Sequence, residues 1–395
     1  MHSTPLRLLL AFALTVPAVA QGPQGIGQRD VAWPNPTGSG SPVLDSVVYY
    51  PAVSSGVNAP VASSVDGWPV IVFLHGYGFL GSAYTQLATA WAEAGFVVVL
   101  SETSQWDYFG QAADGRALHE AVLAANDAAG GPFEGAFDVD RMAIVGHSMG
   151  AANIANVLIA NPGYRCGFAF APAAPLGSDL SQVHVPVGIV AGDGDSVTPW
   201  SWNAMLFYQS LTQHGSFKFL RVFGDDCDHM NLVGLTSTAP QILEATTKTS
   251  IGFLLHCLGI GATGLELVFG AAAMTQPDDP HTFREMVVPQ MWLSSALRTG
   301  MRSQVSIAVD NGPAVLFAAG SLIPGLLTPY GILSVDPSTA FPAAIGFSDQ
   351  EGRADLPLNL PADPSLVGLI VAFQGSGAGL GNQFVLGSAT LTQVE

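Results

Sequence analysis

Positive charge is scarce in this chain of 395 residues: Lys and Arg number 12 against 30 Asp and Glu, a formal net charge of −18. That balance excludes a cationic footprint for nucleic acid or for an anionic membrane surface. Acidity of this kind serves solubility. Cysteine is equally sparse. Three in the whole chain are too few for a disulfide scaffold, and no Cys/His spacing resembles a zinc site, so neither metal nor other cofactor is expected. A bridge between Cys227 and Cys257 would pin the loop that follows Cys227, and Cys166, at the start of an apolar strand, reads as a buried thiol. Long unbroken apolar runs are missing too. The stretch 8–16 is too short to span a bilayer, and 251–274 is interrupted by His256, Glu266 and several glycines, so no stable membrane span is expected.

What is present begins with an export pattern. Arg7, the apolar run 8–16 and Ala18-Val19-Ala20 have the order of a secretory signal peptide cleaved near Ala20. Residues 21–40, rich in Gly, Pro, Ser and Asn, read as a flexible leader without a fold. From 41 to 262 apolar runs of strand length (45–50, 70–74, 96–100, 141–145, 168–171, 187–191, 217–223) alternate with helical patterns (83–94, 115–128, 151–160, 200–213, 240–258). Such alternation means a mostly parallel sheet covered by helices on both faces. After 262 the texture changes to short Val/Ile/Leu runs between Gly, Pro, Asn and Asp, which favours a small all-β, sandwich-like accessory domain over 263–395.

One stretch organises the first part. Gly146-His147-Ser148-Met149-Gly150 lies between an apolar strand and a helix start, the setting of a nucleophile elbow. Side chains at Gly146 or Gly150 would collide with the neighbouring strand or with the helix beneath. A serine hydroxyl needs a base and an orienting acid. The strand 187–191 runs into Gly192-Asp193-Gly194-Asp195-Ser196-Val197-Thr198-Pro199, where Asp195 is preferred to Asp193 as the acid. The strand 217–223 runs into Asp228-His229-Met230-Asn231, where His229 is preferred to His214, which reads as the end of a helix. Two amides could stabilise an oxyanion, those of Met149 and of Tyr77 in His75-Gly76-Tyr77-Gly78-Phe79. His75 reads as bonded within its own turn, and His147 as lining the cleft rather than moving protons. The interval 161–186 leaves no room for a lid, so the cleft should be open. Phe79, His147, Leu176, Trp200 and Met230 are candidate substrate-binding residues.

With these pieces placed, the chain resembles the bacterial polyesterase–lipase–cutinase branch of the α/β-hydrolases (PET-hydrolase- and cutinase-like), related to the dienelactone hydrolase and platelet-activating-factor acetylhydrolase groups. The resemblance covers roughly 45–259 and is carried by Val47-Val48-Tyr49-Tyr50-Pro51, Gly76-Tyr77, the Ser148 elbow, the 192–199 stretch and Asp228-His229-Met230-Asn231. It implies an α/β-hydrolase fold and a secreted serine carboxylic-ester hydrolase acting through an acyl-enzyme. Ser148, Asp195 and His229 would form the triad, with Tyr77 and Met149 the oxyanion hole, and the substrate would be a polymeric or lipid ester. Two departures stand out. Ala174-Pro175 is followed by Leu176 where polyester-degrading members carry a tryptophan, and the family's C-terminal disulfide is not evident. A phospholipase-, acetylhydrolase- or peptidase-type serine hydrolase, or a non-catalytic surface-binding protein on the same scaffold, are the alternative readings.

Overall fold

The computed structural model describes residues 25–211, 217–224, 226–261, 264–270, 281–286, 289–294, 296–309, 312–349, 352–378 and 383–395. The signal-peptide expectation (1–20) and His214 lie outside them. The first part runs β1 (Gly25–Pro34), β2 (Val43–Ala52), β3 (Gly56–Val57), β4 (Trp68–Leu74), α1 (Thr85–Glu93), β5 (Val97–Ser101), α2 (Tyr108–Asp127), β6 (Phe137–His147) and α3 (Met149–Ala160). It continues with β7 (Tyr164–Phe170), β8 (Val187–Gly192), α4 (Ala204–Ser210), β9 (Phe217–Phe223), α5 (Pro240–Cys257), α6 (Glu266–Phe269) and β10 (His281–Met286). All ten strands form one sheet in the order β10-β9-β8-β7-β6-β4-β5-β2-β1-β3. The run from β5 to β9 is parallel, while β2 joins β5, and β10 joins β9, antiparallel.

The apolar runs are explained by which face each residue covers. Successive strand side chains point to opposite faces. Along β4, Val70, Val72 and Leu74 pack beneath α2 and α3 with Leu118 and Ile154. Ile71 and Phe73 pack on the other face with Trp91 of α1 and Phe253 of α5. Both faces being dry, the strand has no polar positions to spare.

Two expectations differ from the structure. The 21–40 segment is not without a fold, because β1 pairs with β2 along its whole length. The two glycines of β1 serve packing. A side chain at Gly27 would meet the Tyr50 ring at 2.2 Å, so glycine there is what admits a buried tyrosine. The change of texture at 262 also does not mark the edge of the sheet, since β10 lies beyond it and pairs with β9.

The remaining strands are β11 (Gln290–Leu293), β12 (Arg302–Ala308), β13 (Pro313–Ala319), β14 (Leu322–Thr328), β15 (Gly331–Val335), β16 (Phe341–Phe347), β17 (Arg353–Asn359), β18 (Ile370–Ala378) and β19 (Phe384–Gln393). They form sheets β11-β12-β17, β16-β13-β18-β19 and β14-β15, antiparallel throughout. The first two share a core that includes Leu293, Ile307, Leu316, Leu356 and Phe373. Trp292 of β11 belongs elsewhere. It is fully buried within the core of the main sheet, its indole N–H donates to Glu266 Oε2 at 2.8 Å, and Arg353 crosses its ring and donates to Phe269 O at 3.0 Å.

Trp292→Ala should therefore destabilise the main sheet as well as the β-rich part. A loss of about 3–5 kcal/mol is expected for a buried tryptophan, read by calorimetry as a lowered transition of the whole chain. A change confined to a separate, minor transition would show that Trp292 serves the β-rich part alone.

Candidate active site

Parallel strands deliver their following loops to one edge of the sheet, and the candidate residues gather there. At the end of β6, Ser148 has φ 55° and ψ −115°, a conformation that costs a non-glycine residue about 1–3 kcal/mol. It is held from both sides. The Ser148 amide donates to Phe170 O, and its carbonyl accepts from Ala152 and Ala173. A Cβ at Gly150 would lie 2.1 Å from Leu74 O, and one at Gly146 would lie 2.4 Å from the Gly150 carbonyl carbon. Both glycines are thus required by backbone contact.

Asp195, in the loop after β8, is buried and fully satisfied. Its Oδ1 accepts the amides of Val197 and Thr198, both at 2.8 Å, and its Oδ2 accepts Thr198 Oγ1 at 2.8 Å and His229 Nδ1 at 2.7 Å. The rival Asp193 is exposed and accepts the Trp200 indole N–H at 2.7 Å. Thr198 is a site residue that the sequence reading did not single out. Its signal was its place in the turn that closes on Asp195, three residues after it. The His229 loop is shaped by Asp228, whose Oδ1 accepts the amides of Met230 and Asn231.

With Nδ1–H given to Asp195, His229 keeps Nε2 as its basic nitrogen. No hydrogen bond joins Nε2 to Ser148 Oγ, a contact that commonly tightens only with substrate. In the turn after β4, the amides of Gly76, Gly78 and Phe79 are all engaged, with Tyr84 Oη, Gln105 O and Gly76 O, and Tyr77 N–H is the one left over. Met149 N–H, the first of α3, has no acceptor in its own helix. His75 bonds as expected near its turn, to Gly76 O and Thr103 O.

The substrate-binding candidates divide. Tyr77 and Leu176 are 58% and 55% exposed, and Phe79 and Met230 are half-buried. His147, expected to line the cleft, is 1% exposed, because its ring is drawn under the site by buried hydrogen bonds. Trp200 is half-buried and occupied with Asp193 and with His281 and Phe283 of β10. Sequence reasoning missed two exposed aromatics, Trp106 and Phe109, 63% and 68% exposed. Trp106 meets Tyr77 edge-on at 4.9 Å. Its loop is tied to the Tyr77 turn by Gln105, whose Nε2 donates to Gly78 O, and to the 174–178 loop by Tyr108 Oη, which accepts the Leu176 amide.

The expected Cys227–Cys257 bridge is not formed, as all three cysteines are free. The Cys257 thiol neighbours Cys166 instead. Cys227 packs under the acid loop, its carbonyl accepting from Gly194 N. Burial first, then Asp228 and Asp195, push its thiol pKa up, which leaves it unsuited to nucleophilic work. Among the described residues no three His, Cys, Asp or Glu side chains converge as a metal would require. Nor is any described helix long and apolar enough to cross a membrane.

Burial alone would raise the Asp195 carboxyl pKa, but the hydrogen bond and charge of His229, with the Thr198 donors, outweigh it and hold it below its usual value. A carboxyl lowered on folding stabilises the protein above its unfolded pKa of about 3.9, and that contribution is lost as pH falls through the folded value. The difference in urea stability between wild type and Asp195→Asn should therefore be constant above about pH 5 and shrink below about pH 4. A difference that grew on acidification would reverse the assignment.

A family profile described as PET hydrolase-like matches residues 15–242. Among characterised proteins the chain is similar to "Cutinase 1" of Thermobifida cellulosilytica, 26% identical over 213 residues, 52% of this chain and 72% of the relative. It is likewise similar to "Cutinase" of Thermobifida fusca, 26% identical over 213 residues, 52% of this chain and 62% of the relative. A third relative is "Bis(hydroxyethyl) terephthalate hydrolase" of Streptomyces coelicolor, 28% identical over 244 residues, 59% of this chain and 67% of the relative. The matched span takes in the Ser148 elbow, the Asp195 loop and the His229 loop, and by that match the chain belongs to the PET hydrolase-like family.

Proposed function

We propose that this protein is a secreted serine carboxylic-ester hydrolase of the α/β-hydrolase fold, working through an acyl-enzyme. The observation that carries the reading is the buried Asp195–His229 pair, 2.7 Å apart, delivered to the same sheet edge as a serine held at positive φ. Ser148 Oγ attacks the ester carbonyl as His229 Nε2 takes its proton, and Asp195 stabilises the imidazolium. The amides of Tyr77 and Met149 receive the oxyanion. The imidazolium then protonates the leaving alkoxide. Water, deprotonated by the same nitrogen, releases the acid.

The substrate side is open and apolar. Tyr77, Trp106 and Leu176 stand exposed on loops, and Phe109 on the first turn of α2, segments that are tied to one another, a surface that would accept the aryl or long acyl groups of a bulky or polymeric ester. The names of the relatives, cutinases and a terephthalate diester hydrolase, agree with that substrate class. Residues 7–20 support export, and the β-rich part after β10 is read as an accessory module.

Hydrolysis of p-nitrophenyl acetate, butyrate and palmitate, and of bis(hydroxyethyl) terephthalate, by wild type and Ser148→Ala tests the reading. Loss of about four or more orders of magnitude in kcat is expected for Ser148→Ala, and about three to four for Asp195→Asn. Retention of wild-type turnover by Ser148→Ala would end it.

A further inference from the structure

Two buried rings under the site are left unused by the reaction just described. Tyr84 closes the short 3₁₀ turn Gly81–Tyr84 ahead of α1, and His147 is the last residue of β6. Both are sealed from solvent. Tyr84 Oη accepts the Gly76 amide at 2.9 Å and lies 2.9 Å from His147 Nδ1. His147 Nε2 lies 3.0 Å from the carbonyl oxygen of His229.

The proton positions follow from the partners. A carbonyl can only accept, so the His147 proton sits on Nε2. In a neutral ring Nδ1 is then an acceptor, and the single proton of Tyr84 goes to it, which leaves a lone pair of Oη for Gly76 N–H. The result is one directed chain: Gly76 N–H to Tyr84, Tyr84 O–H to His147, His147 Nε2–H to the His229 backbone. No other arrangement of protons satisfies every group.

The chain joins three separate segments. Gly76 precedes Tyr77, whose amide is the free donor of its turn. His147 precedes Ser148. The carbonyl at the far end belongs to the residue whose ring is paired with Asp195. Space is tight as well, since a Cβ at Gly76 would lie 3.1 Å from both His147 Nδ1 and Tyr84 Oη and 3.4 Å from Ser148 Cβ. The two imidazoles lie with centroids 4.6 Å apart. Burial first, and then the neighbouring His229, hold the His147 pKa well below 6.5. A second cation so close would oppose the imidazolium that His229 forms during turnover.

We propose that Tyr84 and His147 are positioning residues, a buried hydrogen-bond strut that sets the oxyanion turn and the backbone of the His229 loop at fixed distances from Ser148. This inference rests on the reading of Ser148 and His229 given above. Neither residue touches substrate, so their effect is on kcat rather than on KM.

Tyr84→Phe keeps the ring and its contacts with Phe73 and Phe79 but removes both hydrogen bonds. It should lower kcat for p-nitrophenyl butyrate by roughly ten- to a hundredfold, with KM within about twofold. His147→Gln offers an N–H donor and a C=O acceptor in one side chain and should stay within about fivefold of wild type, whereas His147→Ala should match or exceed the loss in Tyr84→Phe. All are assayed well below their melting temperatures, so that a loss from unfolding is separated from a loss of positioning.

A readout independent of turnover comes from ¹⁵N-histidine NMR of the Ser148→Ala protein. His147 should remain a single Nε2–H tautomer from about pH 5 to pH 8, and adding Tyr84→Phe should mix the tautomers. Wild-type kcat in Tyr84→Phe, a His147→Gln protein as inactive as His147→Ala, or an Nδ1–H tautomer would each overturn the strut. Absence of ester hydrolysis in the wild type would overturn the functional reading, and the tautomer would still decide the hydrogen-bond chain.

Discussion

The backbone of Ser148 is the constraint from which the rest of the site follows. A residue at positive φ with a side chain has no intrinsic reason to stay there. It stays because β6 cannot lengthen and α3 cannot start elsewhere. The first turn of α3 lies against the end of β4 so closely that Gly150 touches Leu74 O and Gly146 touches Gly150. Those contacts depend on β4 and β6 being adjacent, parallel and in the register that sets Leu74 opposite Gly146. The local strain is small against the apolar area buried on the two faces of the sheet. The strain is therefore a consequence of packing, and its effect is to hold the serine hydroxyl outside the helix it begins.

The second dependency is polar. A carboxylate as buried as Asp195 is tolerable only if each oxygen has partners, and here the turn that carries it provides most of them. Val197, Thr198 and the Thr198 hydroxyl fill three positions, leaving the fourth to the imidazole. Two aspartates stand two residues apart in the same loop, yet only one has this cage. The other is exposed and engaged with Trp200. Burial and hydrogen-bond satisfaction separate the two aspartates where motif position alone offers a preference.

How far the sequence could be read depends on the kind of contact. Strands buried on both faces announce themselves as runs of Val, Ile and Phe, and β4, β5 and β9 were legible for that reason. The loops that carry Ser148, Asp195 and His229 were legible because each follows a strand that could be identified. What stayed hidden depends on partners distant in sequence. Gly27 looked like a linker residue because nothing nearby reveals Tyr50 of the paired strand. His147 looked like a cleft residue because its neighbours in sequence are cleft residues, while the groups that bury it come from 84 and 229. Trp200 looked available for substrate because β10 lies some eighty residues later. The three cysteines show the same limit, since Cys257 meets Cys166 across the α5–β7 contact rather than Cys227.

The boundary near 262 is the instructive case. Composition changes there, but packing does not. β9 carries Lys218, buried, its ammonium donating to Tyr208 O and Leu211 O at 2.9 Å and lying 3.3 Å from Glu285 of β10. The same ammonium sits 4.3 Å from the centre of the Tyr208 ring. Without β10 this charge would lose the Glu285 carboxylate, and β9 would become an open edge flanked by Phe217 and Phe219, an arrangement prone to pairing with other chains. Trp292 then extends the dependence past β10 into the β-rich part. An α/β unit cut where the texture changes would therefore lack two pieces of its own construction. β10 is in this respect an edge cover, and Trp292 of the β-rich part a core plug, for the sheet that carries Ser148.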